Sequence, residues 1–227
     1  MKIWKRFLAL GLVTIITAMM FVGCGSSDIS EGVAKNDYPI TINGVTLNSQ
    51  PTGVAVLSQN IADVILTGGF EATLKAKSED CTQEDLSILP NLTIDDVQEM
   101  KNLGVTLVLV DAAPTEQQTA ALEAQGIQVL AISPAKSRDD CKRLYREVGS
   151  AMVGGNTGYT KGEKACDNVF YTLDDITRLV PSTGTQYTAC YLYDLEGHVA
   201  TGNSLFGSLI SYAGFFNSFG NESNRYQ

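Results

Sequence analysis

The chain has 227 residues, with 25 Asp or Glu against 16 Lys or Arg, and so carries a formal charge of −9 near neutrality. That length suffices for one large domain or two small ones. No basic run follows Arg6, which argues against nucleic acid as a partner and disfavours anionic lipid headgroups, because both need clustered Lys and Arg.

In chain order, the first six residues (MKIWKR) place three positive charges at Lys2, Lys5 and Arg6, and an uncharged apolar run follows over 7–23 (FLALGLVTIITAMMFVG). A cationic start before a run of this length reads as an export leader. Phe21-Val22-Gly23-Cys24 resembles the bacterial lipobox, so 1–23 is assigned to a signal peptide and Cys24 to the lipidated first residue of the mature chain. The alternative is an uncleaved anchor in which Cys24 is a plain thiol. Cleavage removes three positive charges and leaves −12. The polar residues to Asn36 form a flexible tether, 24–36.

Residues 38–47 (YPITINGVTL) alternate apolar and polar on both sides of Asn43-Gly44, the strongest short hairpin signal. A buried strand is expected over 53–57 and a helix over 61–66, stopped by Gly68-Gly69, with a second strand over 70–76. Thr93 and Asp96 stand at capping-box spacing and open a helix that ends near Leu103-Gly104. The run 105–110 (VTLVLV) reads as a strand buried on both faces. A helix over 115–125 ends at Gly126, and a strand occupies 127–132. Strand–helix–strand spacing this short implies parallel neighbours with a right-handed crossover. Ser137 caps a helix reaching Met152, with Asp139 and Asp140 in its first turn. Gly154-Gly155-Asn156 breaks it. A long helix over 159–180 carries Ala165, Val169, Leu173, Ile176 and Val180 at spacings of three and four. Pro181 and Gly184 end that helix; a strand over 186–193 and a helix over 204–213 follow.

The inventory of reactive groups is poor. A nucleophile–histidine site would have to use His198, which sits beside Gly197 in an expected exposed turn. No Gly-x-Ser-x-Gly is present, since 202–206 (GNSLF) fails at its last position. One histidine cannot build a multi-histidine metal site. The paired glycines lack the Lys-Ser/Thr of a phosphate loop and read as helix stops. The chain is therefore expected not to be an enzyme. Beyond Cys24, Cys81, Cys141, Cys166 and Cys190 are in no C-x-x-C spacing; free thiols and at least one disulfide both remain open.

Taken in order, YPITINGVTL, GVAVLSQNIADVILTGGF, Leu89-Pro90-Asn91-Leu92 with its helix and VTLVLVD, LEAQGIQVL, and TGNSL before LISYAGFFNSF resemble the solute-binding lipoproteins of ABC importers for iron-siderophores, haem and cobalamin. The resemblance implies an α/β fold of two Rossmann-like lobes joined by a long helix: an N-terminal lobe over 37–153, a connecting helix over 154–181 and a partial C-terminal lobe over 182–227. The family's second lobe normally continues for several tens of residues, so a truncated or partial lobe is expected here. The resemblance also implies a metal chelate, corrinoid or haem as ligand rather than as resident cofactor, permease subunits as partners, and a location on the extracytoplasmic face of the cell membrane. A degenerate surface lipoprotein acting as an interaction module is the alternative.

In open α/β sheets ligands bind outside the carboxyl ends of the strands. Those loops hold Ser58, Gln59 and Asn60; Asp111 and Ala112; and Ser133. In the second lobe the matching stretch reaches Asn203, with Tyr193, Phe206 and Tyr212 as aromatic walls or, alternatively, core. Glu79, Asp80, Glu84 and Asp85 form an acidic cluster expected either to dock basic pockets of a permease or to be an ordinary solvated face.

Overall fold

The computed structural model describes residues 37–180 and 187–221; the leader, Cys24 and the tether fall outside the described residues. The hairpin forms as its pattern requires. Strands β1 (Ile40–Ile42) and β2 (Val45–Leu47) pair antiparallel, with Asn43 and Gly44 both at positive φ (49° and 83°). Those two left-handed residues match the right-handed twist of the strands they join.

Four short strands then build a parallel sheet: β3 (Val54–Val56), β4 (Leu74–Lys77), β5 (Leu107–Val110) and β6 (Gln128–Ala131), in the order β4-β3-β5-β6. Side chains alternate between its two faces. Val54, Val56, Leu107, Leu109 and Leu130 enter one core, while Ala55, Ala76, Val108, Val110 and Val129 enter the other. Helices α1 (Gln59–Gly68), α4 (Arg138–Val153) and α5 (Gly155–Leu179) supply the first core with Ile61, Ile65, Leu144, Val148, Met152, Cys166 and Phe170. Helices α2 (Val97–Asn102) and α3 (Glu116–Glu123) close the second with Met100 and Leu122. Burial on both faces is why 107–110 reads as an unbroken apolar run.

Several expected boundaries move, each for a local reason. Residues Glu71–Thr73 form a 3-10 turn, so the strand expected from Phe70 starts at Leu74. Asp96 accepts hydrogen bonds from the Thr93 backbone N–H and hydroxyl, both at 2.7 Å; this closes a turn, and α2 begins only at Val97. A full capping box appears instead at Thr115 and Gln118. Ser137 caps α4 as expected, accepting from the Asp140 N–H at 3.0 Å.

The long helix begins at Gly155, four residues before Tyr159, because Asp37 caps it. The buried Asp37 carboxylate accepts from the backbone N–H of Asn156 (2.9 Å) and Thr157 (3.1 Å) and from the Thr157 hydroxyl (2.6 Å). Its buried face also differs from the expected stripe. Val169 and Ile176 are exposed, while Gly158, Gly162, Cys166 and Phe170 are buried. Glycines make this contact: a Cβ on Gly158 would lie 2.0 Å from the Gly149 carbonyl oxygen, and one on Gly162 would lie 2.1 Å from that of Tyr145. Helices α4 and α5 thus meet backbone to backbone.

The last described stretch is small. β7 (Thr188–Ala189) and β8 (Phe216–Asn217) pair in parallel, and α6 (Leu205–Tyr212) lies between them in sequence. The strand expected over 186–193 is reduced to β7 and one bridge, Leu192 to Val199. Leu205 and Leu209 of α6 pack against the first core. Among the described residues, no helix is long and apolar enough to cross a membrane.

Candidate ligand-binding site

From β3 the chain runs outward to β4, then returns to β5 on the other side of β3, so the connections diverge at the β3–β5 pair. A crevice outside such a switch point is where open α/β sheets hold ligands. Ser58 and Asp111 meet there. The Ser58 hydroxyl donates to Asp111 Oδ2 at 3.0 Å and accepts from the Ile61 N–H at 3.4 Å, capping α1. Ser58 is buried, so this pair ties the loop ends of β3 and β5 together.

Beside it lies a cleft of about 430 Å³. One wall is Asn60 from α1 with Pro134, Ala135 and Lys136 from the loop after β6. The other is Tyr193 with Asn203, Ser204, Leu205 and Phe206 at the start of α6. The volume is within the range of about 300–1,000 Å³ found for small-molecule sites.

Of the nine residues proposed from the sequence to contact ligand, the structure brings Asn60, Tyr193, Asn203 and Phe206 into this one cleft. Ser58 and Asp111 are engaged with each other at its side. Gln59, Ala112 and Ser133 are exposed and do not line it. The Ser133 carbonyl accepts from Arg143 at 3.1 Å. The sequence marks Ser204 and Leu205 only as the start of a helix and Tyr191 only as strand, and it does not mark Lys136.

Tyr191 matters through its ring. It stacks on Phe206 with centroids 4.3 Å apart and planes 3° apart. Tyr193 stands edge-on to both, at 5.3 Å from Tyr191 and 6.0 Å from Phe206. Tyr191 and Phe206 nevertheless remain 40% and 41% exposed. Phe206 therefore presents a flat, backed ring to the cleft, and the aromatic residues there are wall as well as core.

Three helices begin at this cleft. Asn60 lies in the first turn of α1; Lys136 immediately precedes Ser137, the cap of α4; Ser204 caps α6, accepting from the Gly207 N–H at 3.2 Å. Each helix start carries a partial positive charge from its aligned peptide dipoles. No Asp or Glu lines the cleft among the described residues, although acidic residues outnumber basic ones in the chain.

The adjoining turn holds its own charge. The Asp194 carboxylate accepts from the backbone N–H of Glu196 (2.9 Å) and His198 (3.2 Å) and pairs with the His198 ring Nδ1. The His198 ring bond holds the Asp194 carboxyl below the ordinary carboxylate range. His198 is thus partly covered by its own turn. Its ring, Asp194 and Glu196 place ligand atoms within 4.8 Å of one another, the one such grouping among the described residues.

Farther from the cleft, Glu79, Asp80, Glu84 and Asp85 are all exposed, on the turn after β4 and the 3-10 turn Glu84–Leu86. Cys81, Cys141, Cys166 and Cys190 are free thiols, the first three buried and Cys190 exposed. Burial pushes the Cys141 thiol up to about 11. Buried Arg138 crosses the base of α4 and α5. Its guanidinium bonds Asp167 (2.9 Å), Asp174 (3.3 Å) and the Cys166 sulfur (3.1 Å), and it lies 4.4 Å over the Phe170 ring. Asp174 also accepts from the Tyr212 hydroxyl at 3.1 Å, tying α6 to the connecting helix.

No family model and no curated protein matches the sequence. Solved structures do match the fold. The periplasmic heme-binding protein HutB of Vibrio cholerae superposes with a TM-score of 0.62 at 16% identity, over 78% of this chain and 69% of its own. The periplasmic vitamin B12-binding protein BtuF of the same organism gives 0.57 at 16%, over 78% and 69%. The periplasmic heme-binding protein RhuT of Roseiflexus sp. RS-1 gives 0.55 at 20%, over 78% and 68%. The chain accordingly has the fold of the periplasmic solute-binding proteins of ABC importers, a parallel α/β lobe leading into a long connecting helix, as its sequence resemblance implied.

Proposed function

We propose that this chain is the extracytoplasmic solute-binding lipoprotein of an ABC importer, anchored through lipid on Cys24. It captures an iron-siderophore, haem or cobalamin-like solute reversibly and presents it to the permease. No bond is made or broken in that cycle. The observation that carries the reading is the cleft at the carboxyl ends of the parallel strands, where an exposed, backed aromatic ring faces carboxamides and a hydroxyl. An apolar wall with a few convergent polar groups suits a small amphipathic ligand. Glu79, Asp80, Glu84 and Asp85 are the acidic face that would meet basic pockets of the permease.

The test is a thermal-shift titration of the full chain, purified in mild detergent, with haem, a ferric siderophore and cyanocobalamin. A ligand at about 100 times its dissociation constant adds about 2.7 kcal/mol, roughly 5–10 °C for a chain of this size. A saturable shift with at least one of them is expected; none with any would refute the reading.

A second reading has its own observation. Tyr187 (75%), Leu192 (54%), Leu195 (103%) and Phe216 (57%) are all exposed in the last described stretch. Exposed apolar residues in such number suit a protein–protein contact. A surface interaction module therefore remains the alternative, and it predicts that none of the three solutes binds.

A further inference from the structure

We infer that the cleft selects by charge, and takes an anion carrying flat aromatic rings in preference to an uncharged corrinoid or a cationic chelate. The inference rests on the solute-binding reading and narrows it to one class of ligand, with Lys136 as the residue that sets the choice.

The electrostatics of the cleft run against those of the chain. Lys136 is its one cation, and the Lys136 ammonium takes part in no ion pair among the described residues. This is unusual locally, because the basic residues that follow it are spent. Arg138 is held by Asp167 and Asp174, Lys142 by Glu163 and Asp167, Arg143 by Asp140 and Glu147, and Arg146 by Glu163. Two neighbouring carboxylates are engaged elsewhere, while Asp139, exposed in the first turn of α4, does not line the cleft. Asp140 accepts from the Lys136 backbone N–H at 3.1 Å and pairs with Arg143, while Asp194 is bonded within its own turn. What faces a ligand is thus an ammonium with no ion pair among the described residues, together with the starts of α1 and α6, whose first turns hold no acidic residue, whereas Asp139 and Asp140 offset the start of α4. The chain's net negative charge keeps anions away from most of its surface, so local positive potential here focuses them on this place.

Shape supplies the second half. Phe206 offers one face to the cleft, and Tyr191, stacked on its other face, fixes the plane of the ring. A flat aromatic group can lie against it, whereas a ligand of saturated arms gains only contact area; ring pairing adds to area burial. A cleft of about 430 Å³ lies toward the small end of ligand sites and suits one aromatic arm or ring edge of a larger anion. Asn60, Asn203 and Ser204 supply donors for its carboxylate or phenolate oxygens.

The experiment is isothermal titration of the full chain in mild detergent with four probes: the ferric complex of 2,3-dihydroxybenzoate and haem as aromatic anions, cyanocobalamin as an uncharged corrinoid, and ferrioxamine B as a cationic, non-aromatic chelate. At least one of the two anions is expected to bind at least about tenfold more tightly than cyanocobalamin or ferrioxamine B, a difference of about 1.4 kcal/mol. Lys136→Gln weakens that anion about tenfold and Lys136→Arg preserves it. Phe206→Leu also weakens it while the far-ultraviolet circular dichroism and melting temperature stay at parent values. Affinity for the anion falls as salt is raised, and less so in Lys136→Gln. If cyanocobalamin or ferrioxamine B binds as tightly as the anions, or Lys136→Gln leaves anion affinity unchanged, the charge inference is overturned while the solute-binding reading stands. If none of the four binds, both are overturned.

Discussion

Gly158→Ala should destabilise the protein although alanine is the better helix former. In an exposed helix interior the exchange gains about 1 kcal/mol. Here the new Cβ would sit 2.0 Å from the Gly149 carbonyl oxygen, 2.3 Å from its carbon and 2.7 Å from the Ser150 Cα, all of them backbone and none able to rotate away. Real Cβ atoms essentially never approach closer than 3.0 Å, so α5 must withdraw from α4 by about 1 Å. That opens the contact where Cys166 and Phe170 pack on the sheet's first core. Overpacking typically costs about 1–3 kcal/mol, and with backbone on both sides the upper part of that range applies. Set against the propensity gain, the net loss is about 1–2 kcal/mol, or roughly 2–8 °C in melting temperature for a chain of this size. Urea and thermal unfolding followed by circular dichroism measure it, with Thr160→Ala on the exposed face of the same helix as the control that should lose nothing. A Gly158→Ala protein as stable as the parent, or more stable, would refute the close backbone contact on which the seating of α5 depends.

Two further outcomes follow from the base of that helix pair. Arg138→Met leaves Asp174 with the Tyr212 hydroxyl and Asp167 with Lys142; removing one partner of a buried pair costs about 3–5 kcal/mol, discounted here to about 1–3 kcal/mol because Asp174 and Asp167 are 24% and 46% exposed. Burial pushes the Asp167 carboxyl up, but hydrogen bonds from Arg138 and Lys142 outweigh it and hold the group below the ordinary carboxylate range. A lowered folded-state pKa means that this stabilisation is complete above about pH 4, the unfolded value, and is lost as pH falls through the folded one. Chemical denaturation at stepped pH should therefore show the parent losing stability more steeply on acidification than Arg138→Met; parallel curves would contradict the bridge. Among the four described cysteines, a thiol reagent should modify Cys190 at once and Cys81, Cys141 and Cys166 only on unfolding, since the last three are buried; peptide mapping by mass spectrometry reads the sites, and rapid native labelling of Cys141 or Cys166 would show the α4–α5 packing to be open.

Periodicity carried the architecture where one physical cause dominated. Apolar runs of 4–6 residues bounded by Gly and polar turns located β3, β5 and β6, because burial on both faces leaves little room for polar residues, whereas β4 at the sheet edge carries Lys75 and Lys77 and its start was misplaced. Asn43-Gly44 located the hairpin because only such residues take two left-handed conformations in succession. The long helix was legible as a helix, but not its buried face. Hydropathy marks large apolar residues, whereas close approach of α4 and α5 selects small ones, so Val169 and Ile176 drew the stripe that Gly158, Gly162, Cys166 and Phe170 occupy. Its start was hidden because the cap is Asp37, more than a hundred residues upstream. The site was half legible for a related reason. The rule that ligands sit beyond strand ends pointed to loops that border the cleft, and Asn60, Tyr193, Asn203 and Phe206 line it. It could not separate Ser58 and Asp111, which bond to each other, from residues that face open space. Lys136 carries no local signature, because its importance comes from the carboxylates that pair with its neighbours and not with it.

The central claim, that solute is held between the loop after β6 and the start of α6, is tested most directly by hydrogen exchange of the full chain with and without a saturating ligand, read by mass spectrometry at peptide resolution. Protection is predicted for residues 58–61, 133–137 and 203–207, which frame the cleft, with the hairpin groove lined by Thr41, Arg146 and Tyr159 unchanged. Protection confined to that groove, or to the exposed stretch around Leu192 and Phe216, would contradict the account.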